Sequence, residues 1–278
     1  MISLPPEIVD WLASALGSHE AIRVVTRLEA ATSSVLALDG DLVLRWYEDS
    51  SFLEEEPDAI PREVAALTTL AGSAVAAPRL IAASERAPAA VLMTRLAGAP
   101  ELGIPDPAVA VDLLEAIHAV PPGPLARWSY RGYHEGRNLA RPVWWRDAGL
   151  WERAVRQTST ARPTETDVLI HRDFHPGNLL WAGPELTGVV DWVNACVGPA
   201  EFDAAHLRVN LAVLEGLENA DRVVPGDPAW DIEAAFGFLD WWSPAEIDTW
   251  TGPFPHLDTA TARSRLEAFV AEALARLG

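Results

Sequence analysis

The chain has 278 residues, 49% of them apolar, and carries 21 basic against 40 acidic residues, a formal charge of −19. That balance argues against a nucleic-acid or anionic-membrane partner, and no apolar run reaches the ~18 residues of a membrane span. Every basic residue is an arginine, which removes Schiff-base chemistry on lysine and the Gly-Lys-Ser/Thr of a Walker A loop.

One cysteine, Cys196, leaves no disulfide within the chain and reads as a buried, inert thiol. Residues 1–11 lack the basic start and apolar stretch of a secretory signal, so a cytoplasmic protein is expected. Residues 5–16 predict a helix, with Ile8, Val9, Leu12 and Leu16 on one face and Gly17 as the stop. A strand is expected over 21–28. Residues 35–45 form a hairpin pattern, two apolar runs around Asp39-Gly40, a dipeptide suited to a type I′ turn. The polar stretch 48–59, with Glu54-Glu55-Glu56, reads as solvated loop. A helix follows to about 71, with Pro61 at its first position. Runs at 79–83 and 89–96 predict a second strand pair.

Residues 1–96 thus read as a strand-rich unit with an inserted helix, and Gly98-Ala-Pro100 as a linker into a helical unit, 97–278. Asp106-Pro107 is an N-cap and first-turn pair for a helix to about 120. Residues 128–151 are rich in Trp and Arg and carry no clear period. The remainder is helical apart from an interruption near 168–191.

That interruption holds the chemistry. Val-Leu-Ile-His-Arg-Asp-Phe-His-Pro-Gly-Asn-Leu-Leu-Trp spans 168–181, and Leu-Thr-Gly-Val-Val-Asp-Trp spans 186–192. A short apolar strand enters a polar loop, and a hairpin then returns Asp191 beside it. Asp173, Asn178 and Asp191 therefore converge, an oxygen set suited to Mg²⁺ with waters and phosphates as its other ligands. His171 and His175 flank Asp173 at i and i+4, but Pro176-Gly177 breaks any zinc-binding helix.

His171-Arg-Asp173 with Asn178 five residues on matches the catalytic loop of protein kinases. The longer string, His-x-Asp-x-His-Pro-x-Asn followed by Asp-Trp in place of Asp-Phe-Gly, resembles the aminoglycoside phosphotransferase and choline kinase superfamily, over roughly residues 20–210. The resemblance implies an α+β, bilobal, protein-kinase-like fold: a small antiparallel-sheet lobe over a larger, mainly helical lobe. It implies ATP or GTP as donor, Mg²⁺, and a small-molecule hydroxyl acceptor, aminoglycoside-like or otherwise cationic. Asp173 would be the base, His171 would position the loop, Asn178 and Asp191 would hold metal, and Asp203 would brace the loop.

In the first lobe the resemblance implies a lysine on the second hairpin strand, paired with a glutamate on the next helix. Arg45 and Glu63 stand at those places. The phosphate-binding loop falls at 28–34, which has no glycine but offers the hydroxyls of Thr32, Ser33 and Ser34. Met93-Thr-Arg95-Leu96 falls at the hinge that would read the nucleobase. Each has a plainer reading: a strand-end surface arginine, a connecting turn, a core strand end, and for Asp203 a helix-start carboxylate. Trp144-Trp145 and Trp241-Trp242 offer ring stacking but fit core packing better, and Asp240, Glu246 and Asp248 serve a cationic acceptor or plain solvation. Two other classes stay open: a degenerate kinase that binds nucleotide without turnover, and a His/Asp metal hydrolase.

Overall fold

The computed structural model describes all residues except 1–3, 19–22, 29–32, 49–50, 102, 136–138, 159–166, 224–225 and 240–256. Helix α1 (Pro6–Leu16) ends at Gly17 as its composition predicts and buries Ile8 and Leu12. Five strands follow, β1 (Val24–Leu28), β2 (Ser34–Leu38), β3 (Leu42–Trp46), β4 (Leu80–Ser84) and β5 (Ala90–Thr94), in an antiparallel sheet of order β1-β2-β3-β5-β4. Leu36, Leu38, Leu44 and Leu92 face α1. Strand parity sends Val43 and Met93 to the opposite face, against Ile60 and Leu67 of helix α3 (Ala59–Leu70).

Three expectations need correction here. The hairpin turn has three residues between paired Leu38 and Leu42, with positive φ at Gly40 and Asp41 rather than at Asp39 and Gly40. The acidic stretch is not all loop: Ser51–Glu55 is a helix, α2, because Phe52 and Leu53 have Tyr47 and its neighbours to pack on. Pro61 is the third residue of α3, still within the first turn, where its missing N–H costs nothing.

After β5 the chain crosses to the second layer. The expected linker is itself paired: β6 (Ala99–Pro100) joins β8 (Leu179–Ala182), which pairs with β9 (Glu185–Val189). Gly98 permits this with φ 91, and a Cβ there would stand 2.4 Å from the Trp181 carbonyl oxygen. Strand β7 (Asp167–Ile170) pairs with β10 (Cys196–Pro199), a strand that the sequence reading missed. Helices α4 (Pro107–His118), α5 (Ala148–Thr158), α6 (Ala200–Leu214), α7 (Leu217–Ala220), α8 (Pro228–Gly237) and α9 (Thr259–Leu277) build the rest. Asp106 caps α4 by accepting from the Ala108 N–H. No described helix is long and apolar enough to cross a membrane.

Helix α6 is the axis of this half. Its residues Ala205 to Leu214 are all buried, with α4, α8 and α9 packed around it. Trp145 and Trp151 are buried in the same core, so Trp145 packs rather than stacking on a ligand, while Trp241 and Trp242 lie outside the described residues. Arg208 is 2% exposed, its Nε 3.0 Å from Asp231 of α8, and Asp231 also pairs with Arg276 of α9. Removing one partner of such a pair strands a buried charge. Asp231→Ala should therefore lower the unfolding free energy by about 3–5 kcal/mol in urea titration. A loss under about 1 kcal/mol, the scale of an exposed pair, would show that these three helices do not depend on the cluster.

Candidate active site

The strand pair β7–β10 delivers His171 and Arg172 to the start of a loop that Asp203, in the first turn of α6, holds from below. Asp203 is fully buried. Its Oδ2 accepts the His171 N–H at 2.9 Å and faces His118 Nε2 at 3.1 Å, and its Oδ1 accepts the Arg172 N–H at 2.7 Å. Asp203 is thus no solvated helix-start carboxylate. Two backbone hydrogen bonds oblige the loop to pass in one orientation, and Arg172 accepts a left-handed φ of 69 within it.

His171 uses both ring nitrogens. Nδ1 accepts the Asp173 N–H at 3.3 Å, so the hydrogen is on Nε2, which donates to the Val190 carbonyl at 2.9 Å. The ring ties the loop to the end of β9, one residue before Asp191. Asn178, closing a 3-10 turn (Pro176–Asn178), donates from Nδ2 to the Asp173 carbonyl at 2.9 Å. Its own carbonyl accepts the Val190 N–H at 3.0 Å. Asp173, Asn178 and Asp191 are locked together by these bonds. Asp191, like Arg172, has a left-handed φ, 67.

Arg45 reaches this group from β3. Only 5% exposed, it sets Nε 3.3 Å from Glu63 Oε1 on α3 and Nη2 3.0 Å from Asp191 Oδ1. It is not a surface arginine. Burial acts to discharge the guanidinium, but Asp191 and Glu63 more than offset this and raise its pKa above the ordinary value. The Ser33 hydroxyl lies 3.5 Å from Nη1. Ser34 bonds Glu48 instead, and Thr32 lies outside the described residues. Arg62, one residue before Glu63, donates from Nε to the Val193 carbonyl at 2.8 Å, fastening α3 to the segment after Asp191.

Other residues do not join the group. The Met93 side chain is buried against α3, and Arg95 is exposed. The N–H groups of Thr94 and Arg95 are spent on the carbonyls of Arg79 (2.9 Å) and Asp41 (2.7 Å). Asp240, Glu246 and Asp248 lie outside the described residues. Sequence reasoning passed over Tyr133 and His206, which approach the Arg172 carbonyl at 3.2 and 3.1 Å. For His206 a signal was available: it follows Asp203 by three residues, one helical turn on the same face.

The oxygen donors fit a hard cation. Asn178 keeps Oδ1 once Nδ2 is spent, and Asp191 keeps Oδ2 once Oδ1 is paired with Arg45. Two protein oxygens suit Mg²⁺, which retains waters and phosphate oxygens. A histidine-based metal site does not fit. His171 has both nitrogens engaged, His175 Nδ1 accepts the Gly177 N–H at 3.1 Å, and no cluster of three or more His, Cys, Asp or Glu is placed to bind metal among the described residues.

Residues 22–269 match the phosphotransferase enzyme family, and the chain belongs to it. No curated protein matches the sequence. Among solved structures, a candidate aminoglycoside phosphotransferase from Ralstonia eutropha superposes with a TM-score of 0.62 at 17% identity, covering 97% of this chain and 98% of that one. The GDP and kanamycin complex of APH(2″)-IIIa gives 0.61 at 15% identity, covering 97% and 98%. The streptomycin–ATP ternary complex of APH(2″)-IIa gives 0.57 at 16%, covering 86% and 88%. The fold is therefore the kinase-like one of these enzymes.

Glu63 makes the site pH-sensitive. It is 1% exposed, and its Oε2 has no hydrogen-bond partner. Burial pushes its carboxyl up to about 7; Arg45 opposes the rise and Asp191 adds to it. Between the ordinary 4.5 and about 7, the folded chain keeps a proton on Glu63 that the unfolded chain has lost. The stability this group contributes thus increases as pH falls through that window. Urea titrations between pH 7.5 and 4.5 should show wild type gaining stability relative to Glu63→Gln toward acid. A difference that is flat, or grows toward alkali, would make Glu63 a permanent anion.

Proposed function

We propose that this chain transfers the γ-phosphate of ATP or GTP to a hydroxyl of a small molecule, with an aminoglycoside-like polyol amine as the first acceptor to try. The observation that carries the reading is the convergence of Asp173, Asn178 and Asp191 with the buried Arg45–Glu63 pair. A nucleotide-binding protein without turnover has no use for Asp173, whose side chain is 27% exposed while the loop around it is fastened on every side. Support for the acceptor class comes from the streptomycin and kanamycin complexes of structural neighbours and from the charge of −19.

In this reading the nucleotide lobe is 1–96 and the acceptor lobe 97–278. Asp173 orients the attacking hydroxyl and takes its proton, while Arg45, aligned by Glu63, faces the phosphates with Ser33 beside it. His171 and Asp203 position Asp173 without touching the reacting atoms. Mg²⁺, when bound by Asn178 and Asp191, supplies the positive charge that offsets the phosphates. Catalysis is positioning plus charge, with no covalent intermediate on the chain.

The first experiment is an MgATP and MgGTP phosphorylation screen over aminoglycosides, amino alcohols, sugars and macrolides. With the best acceptor, Asp173→Asn should lose about 10²–10⁴-fold in kcat while nucleotide affinity stays within a few-fold. An unchanged kcat removes Asp173 from the reaction.

Metal binding has its own readout. Asn178→Ala and Asp191→Ala should each shrink the Tm rise that Mg²⁺ adds to nucleotide binding, without need of any acceptor. Wild-type shifts in both variants would put the ion elsewhere.

A further inference from the structure

Beside Asp173 stand two histidines whose hydrogens can be assigned from their partners. His175 Nδ1 accepts the Gly177 N–H, so its hydrogen is on Nε2, 3.9 Å from Asp173 Oδ1. His206 is the reverse. Its Nδ1 lies 3.1 Å from the Arg172 carbonyl, an acceptor that obliges Nδ1 to carry the hydrogen. Its Nε2 therefore presents a lone pair, 3.6 Å from the same Asp173 oxygen. The ring cannot turn away: it is 3% exposed and packed edge-on against Tyr133, Phe202 and Phe238.

A carboxylate oxygen and an imidazole lone pair thus face each other with no hydrogen between them. Burial holds His206 well below the usual histidine range, so it stays neutral rather than supplying that hydrogen. A single hydroxyl cannot satisfy both acceptors, because its one hydrogen goes to Asp173. Two hydrogens are needed, on atoms no farther apart than about the 3.6 Å that separates the two acceptors. Donors on adjacent carbons have that spacing. A water can bridge the pair when the site holds no acceptor, and a ligand that displaces the water must reproduce both bonds.

We propose that His206 determines specificity: its Nε2 reads a second donor, a hydroxyl or amine on the carbon next to the phosphorylated hydroxyl, so the acceptor is a vicinal diol or amino alcohol. This rests on Asp173 receiving the proton of the reacting hydroxyl. An acceptor lacking the neighbouring donor leaves Nε2 buried and unpaired. The expected discrimination is at least about tenfold in kcat/KM.

The test uses the full chain and two side-chain replacements. Asparagine at 206 can keep the bond to the Arg172 carbonyl while deleting the Nε2 acceptor; glutamine can restore an acceptor near Nε2. Each acceptor is paired with the analogue whose adjacent hydroxyl or amine is replaced by hydrogen, 2-aminoethanol against ethanol being the simplest pair. Wild type should prefer the donor-bearing member at least about tenfold, His206→Asn should abolish that preference, and His206→Gln should recover part of it. A preference that survives in His206→Asn, or equal losses on both members, makes His206 a structural residue and overturns the proposal. ¹⁵N-histidine spectra supply an arm that needs no acceptor: a proton on Nε2 of His206 at neutral pH overturns it as well. If wild type phosphorylates nothing, the phosphotransfer reading falls and takes this one with it; turnover without the preference removes only the role of His206.

Discussion

The two halves of the molecule meet around one guanidinium. Arg45 is buried, and burying a lone cation is costly enough that it persists only where carboxylates surround it. Glu63 comes from the helix under the sheet and Asp191 from the hairpin of the second half, so the charge is balanced only when β3, α3 and the end of β9 stand together. The Arg62 contact to Val193 repeats the constraint one residue away. Much of the sheet lobe serves that placement. Leu42 and Leu44 face α1, and the alternation of the strand then sends Val43 and Arg45 to the cleft side.

A second constraint works at right angles to the first. Asp203 fixes the loop from the helical core, through two backbone amides and His118, while His171 fixes it from the hairpin. Asp173 sits where these supports meet. Its backbone N–H and carbonyl are both engaged, and its carboxylate remains partly open to the cleft. On the proposed reading, a base held this way loses little freedom on meeting a substrate, as positioning catalysis requires. The left-handed φ values of Arg172 and Asp191 are part of this device, since only a loop restrained at several points keeps two non-glycine residues there.

Legibility followed range. The loop from His171 to Asn178 could be read because its chemistry lies within eight consecutive residues. Arg45 and Glu63 could be read because strand parity and helical spacing carry a side chain's direction. What escaped depended on distant partners. Ala99–Pro100 has no strand signature, and pairs because Trp181 and Leu180 are there to receive it. Helix α2 hid among glutamates because two apolar residues sufficed once Tyr47 offered a surface. His206 was marked only by its place one turn after Asp203, because α6 is buried around most of its circumference and gives little amphipathic contrast to single out a face. Ser34 looked free for a phosphate because nothing local showed Glu48 folding back upon it.

The absence of lysine gains meaning from the geometry. An ammonium is a compact charge, whereas the guanidinium of Arg45 presents separate edges: Nε to Glu63, Nη2 to Asp191, Nη1 toward Ser33. Without nucleotide, one positive charge stands between two carboxylates, and the Glu63 carboxyl, pushed up mainly by burial, is raised further by Asp191. On the proposed reading, phosphates approaching Arg45 must compete with Asp191 for Nη2. Asp191 can give up that cation only to another cation, since otherwise two anions would be brought together beside Arg45. Its Oδ2 is the oxygen left for that exchange. On that reading nucleotide and metal bind as one neutralising set: the phosphates alone would deepen the negative excess around Arg45, and the metal relieves it. An arginine, able to keep Glu63 on Nε while Nη2 changes partner, is suited to make that exchange without leaving its place on the strand.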